Sequence, residues 1–336
     1  MNAGSELMKA VKGIVEKRGT GAIEKAREEI LALGYNDEAI SSALKYFVQT
    51  TLSNALPVFP ALISLSCEAV GGEPRKTTVI GAAMTLIAVA ADIHDDIIDQ
   101  SANKYSKKTV FGKFGADVAL LTGDALLFHG LMLLNKECDM LSKKQKKAIM
   151  NFTSNAFIQI SMAETKEKLL IKKADVTPQE YWEIIRLKAV VPETHCKIGG
   201  IIGKADDETI EALGHYGRDF GVASTVRDEF IDLFDYSELT SRIRNECAPL
   251  PILYALQNPE TKEQIKTFTE SSKLTKKMAK KIVQLVLDCP QVQELKNDLD
   301  AVINHGLQSI AFVEDEEIKT ELTVLTNAMT EGIYPI

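Results

Sequence analysis

Four aspartates follow an apolar, alanine-rich run that begins near Val79, and their spacing could hold a metal ion. They are Asp92, Asp95, Asp96 and Asp99. On a helix, residues four apart share a face, so two pairs of carboxylates would lie side by side and repel each other. The run contains no lysine that could neutralise them. A divalent cation would do so, and oxygen ligands favour Mg²⁺, which is commonly shared with substrate phosphates. The alternative is an exposed acidic helix end.

A second acidic cluster far downstream favours the metal interpretation. Asp228, Glu229 and Asp232 again place acids four residues apart after a helical run. Two such helix faces can oppose each other across a cavity and hold several metal ions. Metal ions that grip a diphosphate make it a leaving group, because they neutralise the charge that builds up as the C–O bond breaks. The two clusters therefore predict a site that ionises a diphosphate.

Helical patterns dominate the rest of the chain. The first part predicts polar amphipathic helices over residues 5–17 and 23–33, with a break at residues 19–21. No sustained strand alternation, βαβ pattern or repeat of fixed period is present. We predict an all-α protein, with an N-terminal helical extension over residues 1–50 and a single helical domain over residues 51–336.

The clearest helix start lies at Thr177. This residue is followed by Pro178 and by Glu180, which together have the spacing of a capping box with proline in the first turn. The helix that begins there is expected to carry Lys188.

The composition argues against several classes of protein. The 336 residues carry a formal net charge of −8, so nucleic acid is not an expected partner. The five cysteines are scattered, which fits a reducing cytoplasm better than a disulfide framework or a zinc site. The longest apolar run, residues 79–91, is shorter than the ~18 residues that suggest a membrane span, and the N-terminus lacks a signal-peptide pattern. We expect a soluble, cytoplasmic protein without a transmembrane segment.

Several segments together resemble the trans-isoprenyl diphosphate synthases, the polyprenyl synthetase family. They keep the family's order and spacing over about residues 53–256. The segments are Asp95-Asp96-Ile97-Ile98-Asp99, Lys104, Thr109, Phe114-Gly115, Gly123-Asp124-Ala125-Leu126-Leu127, residues 181–188 and residues 228–232. The resemblance implies a single-domain isoprenoid-synthase bundle, of the class I terpenoid synthase type, around a central cavity. It also implies a prenyltransferase of isoprenoid biosynthesis.

The resemblance implies roles for individual residues. Asp95, Asp99 and Lys188 would be catalytic, and Lys104 would join Lys188 in binding the diphosphate of an allylic substrate. The metal ion would be Mg²⁺, expected as three ions with bound diphosphate. Its ligands would be Asp95, Asp96, Asp99, Asp228, Glu229 and Asp232.

The pocket that the family uses for isopentenyl diphosphate is not preserved. Residues 54–60 read NALPVFP where the family has Gly-Gly-Lys-Arg-x-Arg-Pro, and Tyr105 replaces a further arginine. Each charge-assisted hydrogen bond is worth ~1.5–3 kcal/mol, so the loss of four basic partners should weaken binding by several orders of magnitude. The alternative is that Lys107 and Lys108, close by in a loop, take their place.

Three functions are compatible with this pattern. The first is an enzyme that ionises a long allylic prenyl diphosphate and passes the prenyl cation to an acceptor other than isopentenyl diphosphate, or cyclises it. The second is an ordinary trans-polyprenyl diphosphate synthase with a divergent acceptor pocket. The third is a non-catalytic or regulatory subunit of a heteromeric prenyl synthase, which the intact Asp95 and Asp99 pair argues against.

In the family, the prenyl tail occupies a tunnel lined by residues that precede the first aspartate cluster. Here those residues are Ala91, Ala90, Ile87 and Met84, which are small or aliphatic. Each isoprene unit buries five carbons at ~0.8 kcal/mol per CH₂-sized group, so an open tunnel should favour tails of about C20 or longer. The alternative is that the two alanines only mark a close helix–helix contact.

The family forms homodimers through helices that flank the active site. By resemblance, the apolar segment over residues 115–134 would lie at that interface. A second prenyl-synthase subunit is the alternative partner.

Overall fold

The computed structural model describes residues 3–33, 38–104, 107–171, 173, 175–269 and 274–330. Helices make up nearly all of this part of the chain, which confirms the all-α prediction. The α-helices are α1 (Ala3–Ala32), α2 (Glu38–Thr50), α3 (Val58–Glu68), α4 (Thr78–Ile98), α5 (Val110–Phe114), α6 (Ala116–Glu137), α7 (Lys143–Leu170), α8 (Pro178–Lys188), α9 (Val190–Ile202), α10 (Asp207–Phe234), α11 (Tyr236–Asn245), α12 (Leu250–Ala255), α13 (Pro259–Thr269), α14 (Lys276–Leu287), α15 (Pro290–Ser309) and α16 (Glu316–Asn327). Short 3₁₀ helices span Leu52–Asn54, Pro74–Thr77, Cys138–Met140 and Ala328–Thr330. Two short strands, β1 (Asn103–Lys104) and β2 (Lys107–Lys108), pair antiparallel.

Helix α1 is continuous through residues 19–21, where the sequence predicted a break. Gly19 lies against the segment that precedes α3, and a Cβ atom there would come within 2.5 Å of the carbonyl oxygen of Pro57. The glycine thus allows two backbones to approach closely. This packing offsets the roughly 1 kcal/mol that a glycine costs inside a helix.

Helix α1 packs against the body of the bundle on two sides. Val15 is fully buried in a cluster with residues of α3 and α16. Ala26 and Ile30 are buried in another cluster with residues of α2, α4 and α6. The domain boundary at residue 50 stays a prediction, but α1 contributes side chains to the same core as the helices that follow it.

Helix α4 carries the first aspartate cluster at its C-terminal end and is buried on two faces. Leu86 and Ile93 pack with α1, α2 and α6, whereas Met84 packs with α3 and α9. Gly130 of α6 lets the two helices approach, since a Cβ atom there would lie 2.9 Å from Ile87. The third face of α4 is left for the cavity described below.

Some helices are long and apolar enough to cross a membrane by length and composition alone. They are Pro74–Ile98 and Ala116–Met140, and the bent pair Glu38–Asn54 and Val58–Glu68 would make a third. The first window is 61% buried inside the protein and the second 33%. The first helix exceeds residues 79–91 because the criterion tolerates a few charged residues beside the apolar ones. The absence of a membrane span stays a prediction.

Helix α8 begins with the predicted capping box, which is confirmed. The Thr177 hydroxyl accepts a hydrogen bond from the Glu180 backbone N–H, and the Glu180 carboxylate accepts one from the Thr177 N–H at 3.0 Å. These bonds satisfy helix donors that would otherwise lack partners. The helix ends at Lys188, which it directs toward α7.

Candidate active site

A cavity of about 830 Å³ lies between α4 and helices α3, α7, α9 and α10. Its lining combines charged groups that suit a diphosphate with an apolar wall that suits a hydrocarbon chain. The charged residues are Asp92, Asp95, Glu164, Lys168 and Lys188. Larger apolar residues in the wall are Leu56, Phe59, Phe157, Ile160 and Phe220.

The carboxylates of the first cluster are crowded and partly buried. Burial raises the pKa of Asp95 to about 7, and the nearby Asp99 and Glu164 carboxylates add to the shift. Burial also raises the pKa of Asp96 to about 6, against the opposing effect of Lys104. Raised carboxyl pKa values in a cavity are typical of sites whose negative charge awaits a cationic partner.

Lys104 places one ammonium group among three of these carboxylates. Its Nζ atom lies 2.8 Å from Asp96, 3.2 Å from Asp92 and 3.9 Å from Asp95. Burial by itself would lower the pKa of Lys104, but the carboxylates together raise it above its usual value. The lysine predicted to bind substrate diphosphate thus neutralises the first cluster in this structure.

Lys168 of α7 forms an ion pair with Asp99. This lysine also lines the cavity. Lys168 is not among the site residues predicted from sequence. Its position one helical turn after Glu164 places it on the same face of α7, which is a signal that could have identified it.

Lys188 pairs with two acids of α7. Its Nζ atom lies 3.2 Å from Glu164, and it also forms a short ion pair with Glu167. Burial would lower the pKa of Lys188, but Glu167 and Glu164 raise it above its usual value. The positive charge of Lys188 also acts to lower the pKa of Asp95, so the two predicted catalytic residues are electrostatically coupled.

Glu229, one of the predicted metal ligands, is buried and lies away from the cavity. Its carboxylate is buried and accepts hydrogen bonds from Tyr181 at 2.9 Å, from Arg242 at 3.0 Å and from the Leu250 backbone N–H at 2.9 Å. Both oxygens are occupied in an internal network, and Glu229 does not line the cavity. Its role in this structure is to hold α8, α10, α11 and α12 together.

The other acids of the second cluster are more accessible. Asp228 has a side chain that is 65% exposed and lies 3.5 Å from Arg227. Asp232 pairs with Arg242 at 2.7 Å, and burial raises its pKa to about 6. Neither residue lines the cavity, so only the first cluster faces it directly.

The described residues contain no group of three or more His, Cys, Asp or Glu side chains arranged to hold a metal ion. The chemistry of the donors still fits Mg²⁺. Asp95 and Asp99 offer only oxygen ligands, and the ammonium groups of Lys104 and Lys168 already stand where positive charge is required. A Mg²⁺ site would then need oxygens from a bound diphosphate to complete it, as is usual for this ion.

The predicted tunnel residues lie in different environments. Ala91 lines the cavity, but Ala90, Ile87 and Met84 do not, because they pack in the cores around α6, α3 and α9. A helix turns about 100° per residue, so Ala90 and Ile87 are rotated by roughly 140° and 80° from Asp95. Met84 instead accepts a hydrogen bond from Thr153 within the core. The residues of α4 found in the wall beside Ala91 are Ala88, Thr85 and Val89.

The acceptor side of the cavity is apolar and contains one histidine. Leu56 and Phe59, which occupy positions of basic residues in the family pattern, line the wall together with Pro60 and His195. Tyr105 lies outside the described residues. Among the described residues, Lys107 is exposed on β2 and does not line the cavity.

Comparisons with known proteins agree with this arrangement. The family model "Polyprenyl synthetase" matches residues 40–286. The chain is 28% identical over 232 residues to a short chain isoprenyl diphosphate synthase of Methanothermobacter thermautotrophicus, covering 69% of each chain. It is 25% identical over 332 residues to a geranylgeranyl diphosphate synthase of Methanosarcina mazei, covering 95% of this chain and 97% of that one. The crystal structure of geranylgeranyl pyrophosphate synthetase from Pyrococcus horikoshii superposes with a TM-score of 0.83 at 23% identity, covering 97% of this chain and 99% of that one. The fold is therefore the all-α isoprenoid-synthase bundle.

Proposed function

The chain belongs to the polyprenyl synthetase family, and from this premise we propose that it is a Mg²⁺-dependent prenyltransferase that ionises an allylic prenyl diphosphate in its central cavity. One observation carries the proposal. The same cavity brings Asp95 and Lys188 together with a long apolar wall. The charged part suits a diphosphate, and the apolar part suits its prenyl chain.

In this proposal the acids of both clusters bind the metal ions, and the lysines bind the diphosphate. Asp95, Asp99 and Asp228 would hold the Mg²⁺ ions, with Asp96 and Asp232 as supporting acids, and bound Mg²⁺ would supply positive charge to the departing diphosphate. Lys104 and Lys188 donate charge-assisted hydrogen bonds to diphosphate oxygens. The electron pair of the breaking C1–O bond stays on the diphosphate, and these cations stabilise it there.

The first candidate for the acceptor is a molecule other than isopentenyl diphosphate. The support is the wall formed by Leu56, Phe59 and Pro60, which offers no positive charge. A second diphosphate bound there would carry several negative charges into a largely apolar surrounding, at a high desolvation cost.

The second candidate is chain elongation with isopentenyl diphosphate. The names of the relatives favour it, since they are prenyl diphosphate synthases. In that case the acceptor's diphosphate would need cations from elsewhere, such as Lys107 and Lys108 or a second subunit. A non-catalytic subunit is the third reading, and the crowded acids around Asp95 argue against it.

Homodimer formation through residues 115–134 is also proposed. On α6, the side chains of Leu120, Leu121, Phe128 and Met132 are exposed. A contiguous apolar face of this kind is typical of a surface that another chain covers. A heteromer with a second prenyl-synthase subunit and a cytoplasmic location stay predictions.

Product analysis separates the readings. The purified protein is incubated with Mg²⁺ and C10, C15 or C20 allylic diphosphates, with and without isopentenyl diphosphate, and pyrophosphate and prenyl products are measured. Pyrophosphate release from the C20 substrate that isopentenyl diphosphate does not accelerate supports the first candidate. Longer prenyl diphosphates formed only with isopentenyl diphosphate support the second. No pyrophosphate under either condition would refute the ionisation proposal.

A further inference from the structure

We infer that the cavity wall around His195 binds a neutral, largely apolar acceptor that carries a hydroxyl group, and that this hydroxyl donates a hydrogen bond to Nε2 of His195. The inference rests on the proposed function, because it names the class of molecule that receives the prenyl group.

The hydrogen bonding of His195 fixes which ring nitrogen is available. The side chain is 2% exposed, and its Nδ1 atom lies 2.7 Å from the carbonyl oxygen of Val191. A carbonyl oxygen can only accept, so Nδ1 carries the hydrogen. Burial lowers the pKa of His195 to about 4, against the opposing effect of this bond, so the ring is neutral at neutral pH. Nε2 therefore presents a lone pair.

That lone pair has no hydrogen-bond partner within the part of the chain that the structure describes, where only Nδ1 of His195 is bonded. His195 is part of the cavity lining, and Nε2 is not one of the fully enclosed polar atoms that lack a partner, so it is open to the cavity. A donor for this acceptor must therefore come from the cavity's contents. A ligand hydroxyl would supply the missing donor.

The surroundings of His195 select for an uncharged molecule. The ring of Phe59 lies 5.2 Å from the imidazole, and Pro60, Pro192 and Phe220 also line the cavity. The lysines that line the cavity are Lys168 and Lys188, and both are engaged with acids of α4 or α7. A hydroxyl compound with an apolar body satisfies Nε2 and leaves no buried charge unpaired.

The same hydrogen bond serves the transfer step. The C1–O bond of the prenyl diphosphate breaks with its electron pair on the diphosphate. A lone pair of the acceptor oxygen forms the new bond to C1. The electron pair of the acceptor's O–H bond stays on the acceptor oxygen, and its proton moves to Nε2 of His195. The imidazolium then releases this proton to solvent, which restores the neutral ring. Products and reactants balance as a prenyl ether, pyrophosphate and one proton.

The binding of two probes that differ by a single hydroxyl group tests the site without any turnover. The full-length protein is titrated with 1-naphthol and with naphthalene by calorimetry. One hydrogen bond to a buried acceptor predicts that 1-naphthol binds about tenfold more tightly. Equal affinity for the two probes in the parent protein would overturn the inference, and this comparison needs no variant.

Variants assign the effect to His195. His195→Leu should bind the two probes equally, whereas His215→Leu, which replaces an exposed histidine, should keep the tenfold preference. With ¹⁵N-labelled histidine, 1-naphthol should shift the Nε2 resonance that is missing from His195→Leu. A preference that survives in His195→Leu, or displacement of 1-naphthol by micromolar isopentenyl diphosphate, would overturn the inference.

A parallel titration separates this inference from the proposed function. Inorganic pyrophosphate with Mg²⁺ should bind to the parent protein and to His195→Leu alike. If both bind it but neither protein distinguishes the naphthols from naphthalene, only the acceptor site is refuted. If the parent protein fails to bind Mg²⁺ and pyrophosphate, the proposed function is refuted and the inference falls with it.

Discussion

Lys168 forms an ion pair with Asp99, so an acid predicted to hold a metal ion is neutralised by a lysine of the opposing helix. The pair joins the end of α4 to α7 at the charged part of the cavity. Under the proposed function, Asp99 would be shared between Mg²⁺ and an ammonium group that lines the same cavity. The lysine supplies positive charge that would otherwise have to come from metal ions.

Replacement of Lys168 by methionine should make diphosphate binding more dependent on Mg²⁺. We expect pyrophosphate affinity at low Mg²⁺ to fall about tenfold, because one charge-assisted hydrogen bond is lost. Saturating Mg²⁺ should recover most of it, since Asp99 is then free for the metal. Calorimetry at several Mg²⁺ concentrations measures both effects. Lys166→Met, which removes only an exposed pair with Glu183, is the control; matching Mg²⁺ curves for the two variants would contradict the expectation.

Asp95→Asn should abolish pyrophosphate release from a C20 allylic diphosphate. The change removes a carboxylate charge at the centre of the cluster and keeps the size of the side chain. Pyrophosphate release is followed by a coupled assay with excess Mg²⁺. Asp207→Asn, which breaks only an exposed pair with Lys144, should leave the rate unchanged. Parent-like turnover by Asp95→Asn would show that the reaction takes place elsewhere.

Glu229 and Asp228 are neighbours in sequence, but we expect a substitution of Glu229 to lower stability and a substitution of Asp228 to weaken pyrophosphate binding. Glu229→Gln removes the buried carboxylate that pairs with Arg242 and leaves Asp232 as the nearest acid, which should cost about 2 kcal/mol of unfolding free energy. Asp228→Asn changes an exposed side chain and should alter stability by less than about 0.5 kcal/mol. It should instead weaken Mg²⁺-dependent pyrophosphate binding. Urea unfolding and calorimetry on both variants measure this; loss of stability in Asp228→Asn would contradict the assignment.

His195 should make the protein less stable in mild acid. Its folded-state pKa is lowered to about 4, so as pH falls from about 6.5 toward 4 the unfolded chain takes up a proton that the folded protein does not. The contribution amounts to about 3 kcal/mol at pH 4 and vanishes above pH 7. Thermal unfolding of parent and His195→Leu across pH 4–7 tests it. As the pH falls to 4 the parent protein should lose about 3 kcal/mol of stability relative to His195→Leu. Parallel profiles would mean that His195 has the same pKa in the folded and unfolded protein.

Bulky residues at two positions of α4 should shorten the preferred prenyl chain. Ala91 and Ala88 both line the cavity, so Ala91→Phe and Ala88→Phe should weaken binding of a C20 diphosphate relative to a C10 diphosphate. Competition against labelled pyrophosphate across C10, C15 and C20 compounds measures the preference. A preference for C10 in the parent protein, unchanged in both variants, would rule out a tail site along this face.

The helices and the first aspartate cluster follow from local sequence, but the cavity does not. Hydrophobic periodicity and caps such as Thr177 act within a few residues, so the all-α fold and the start of α8 were predictable. Glu229 was predicted to be a metal ligand by resemblance to the family's second acidic motif. In the structure its carboxylate pairs with Arg242, which lies on another helix, and a sequence motif carries no information about that contact.

The residues that line the tunnel are likewise not determined by local sequence alone. The family resemblance suggested Ala91, Ala90, Ile87 and Met84 for the tunnel, and Ala91 lines the cavity. Only the packing of α6 and α9 decides which side of α4 stays open. Lys168 was missed for a related reason. Its pairing with Asp99 depends on how α7 lies across α4, which no local pattern encodes.

The close contact between Gly19 and Pro57 ties the first helix to the acceptor wall. Residues 54–60 form part of that wall, and α1, which lies entirely before the segment matched by the family model, packs against it from behind. An exchange of residues 54–60 with those of a relative would therefore leave the new segment packed against an α1 that does not match it. Chimeras that aim to restore a basic acceptor pocket should move α1 together with residues 54–60, or widen the contact at Gly19 to suit the incoming backbone.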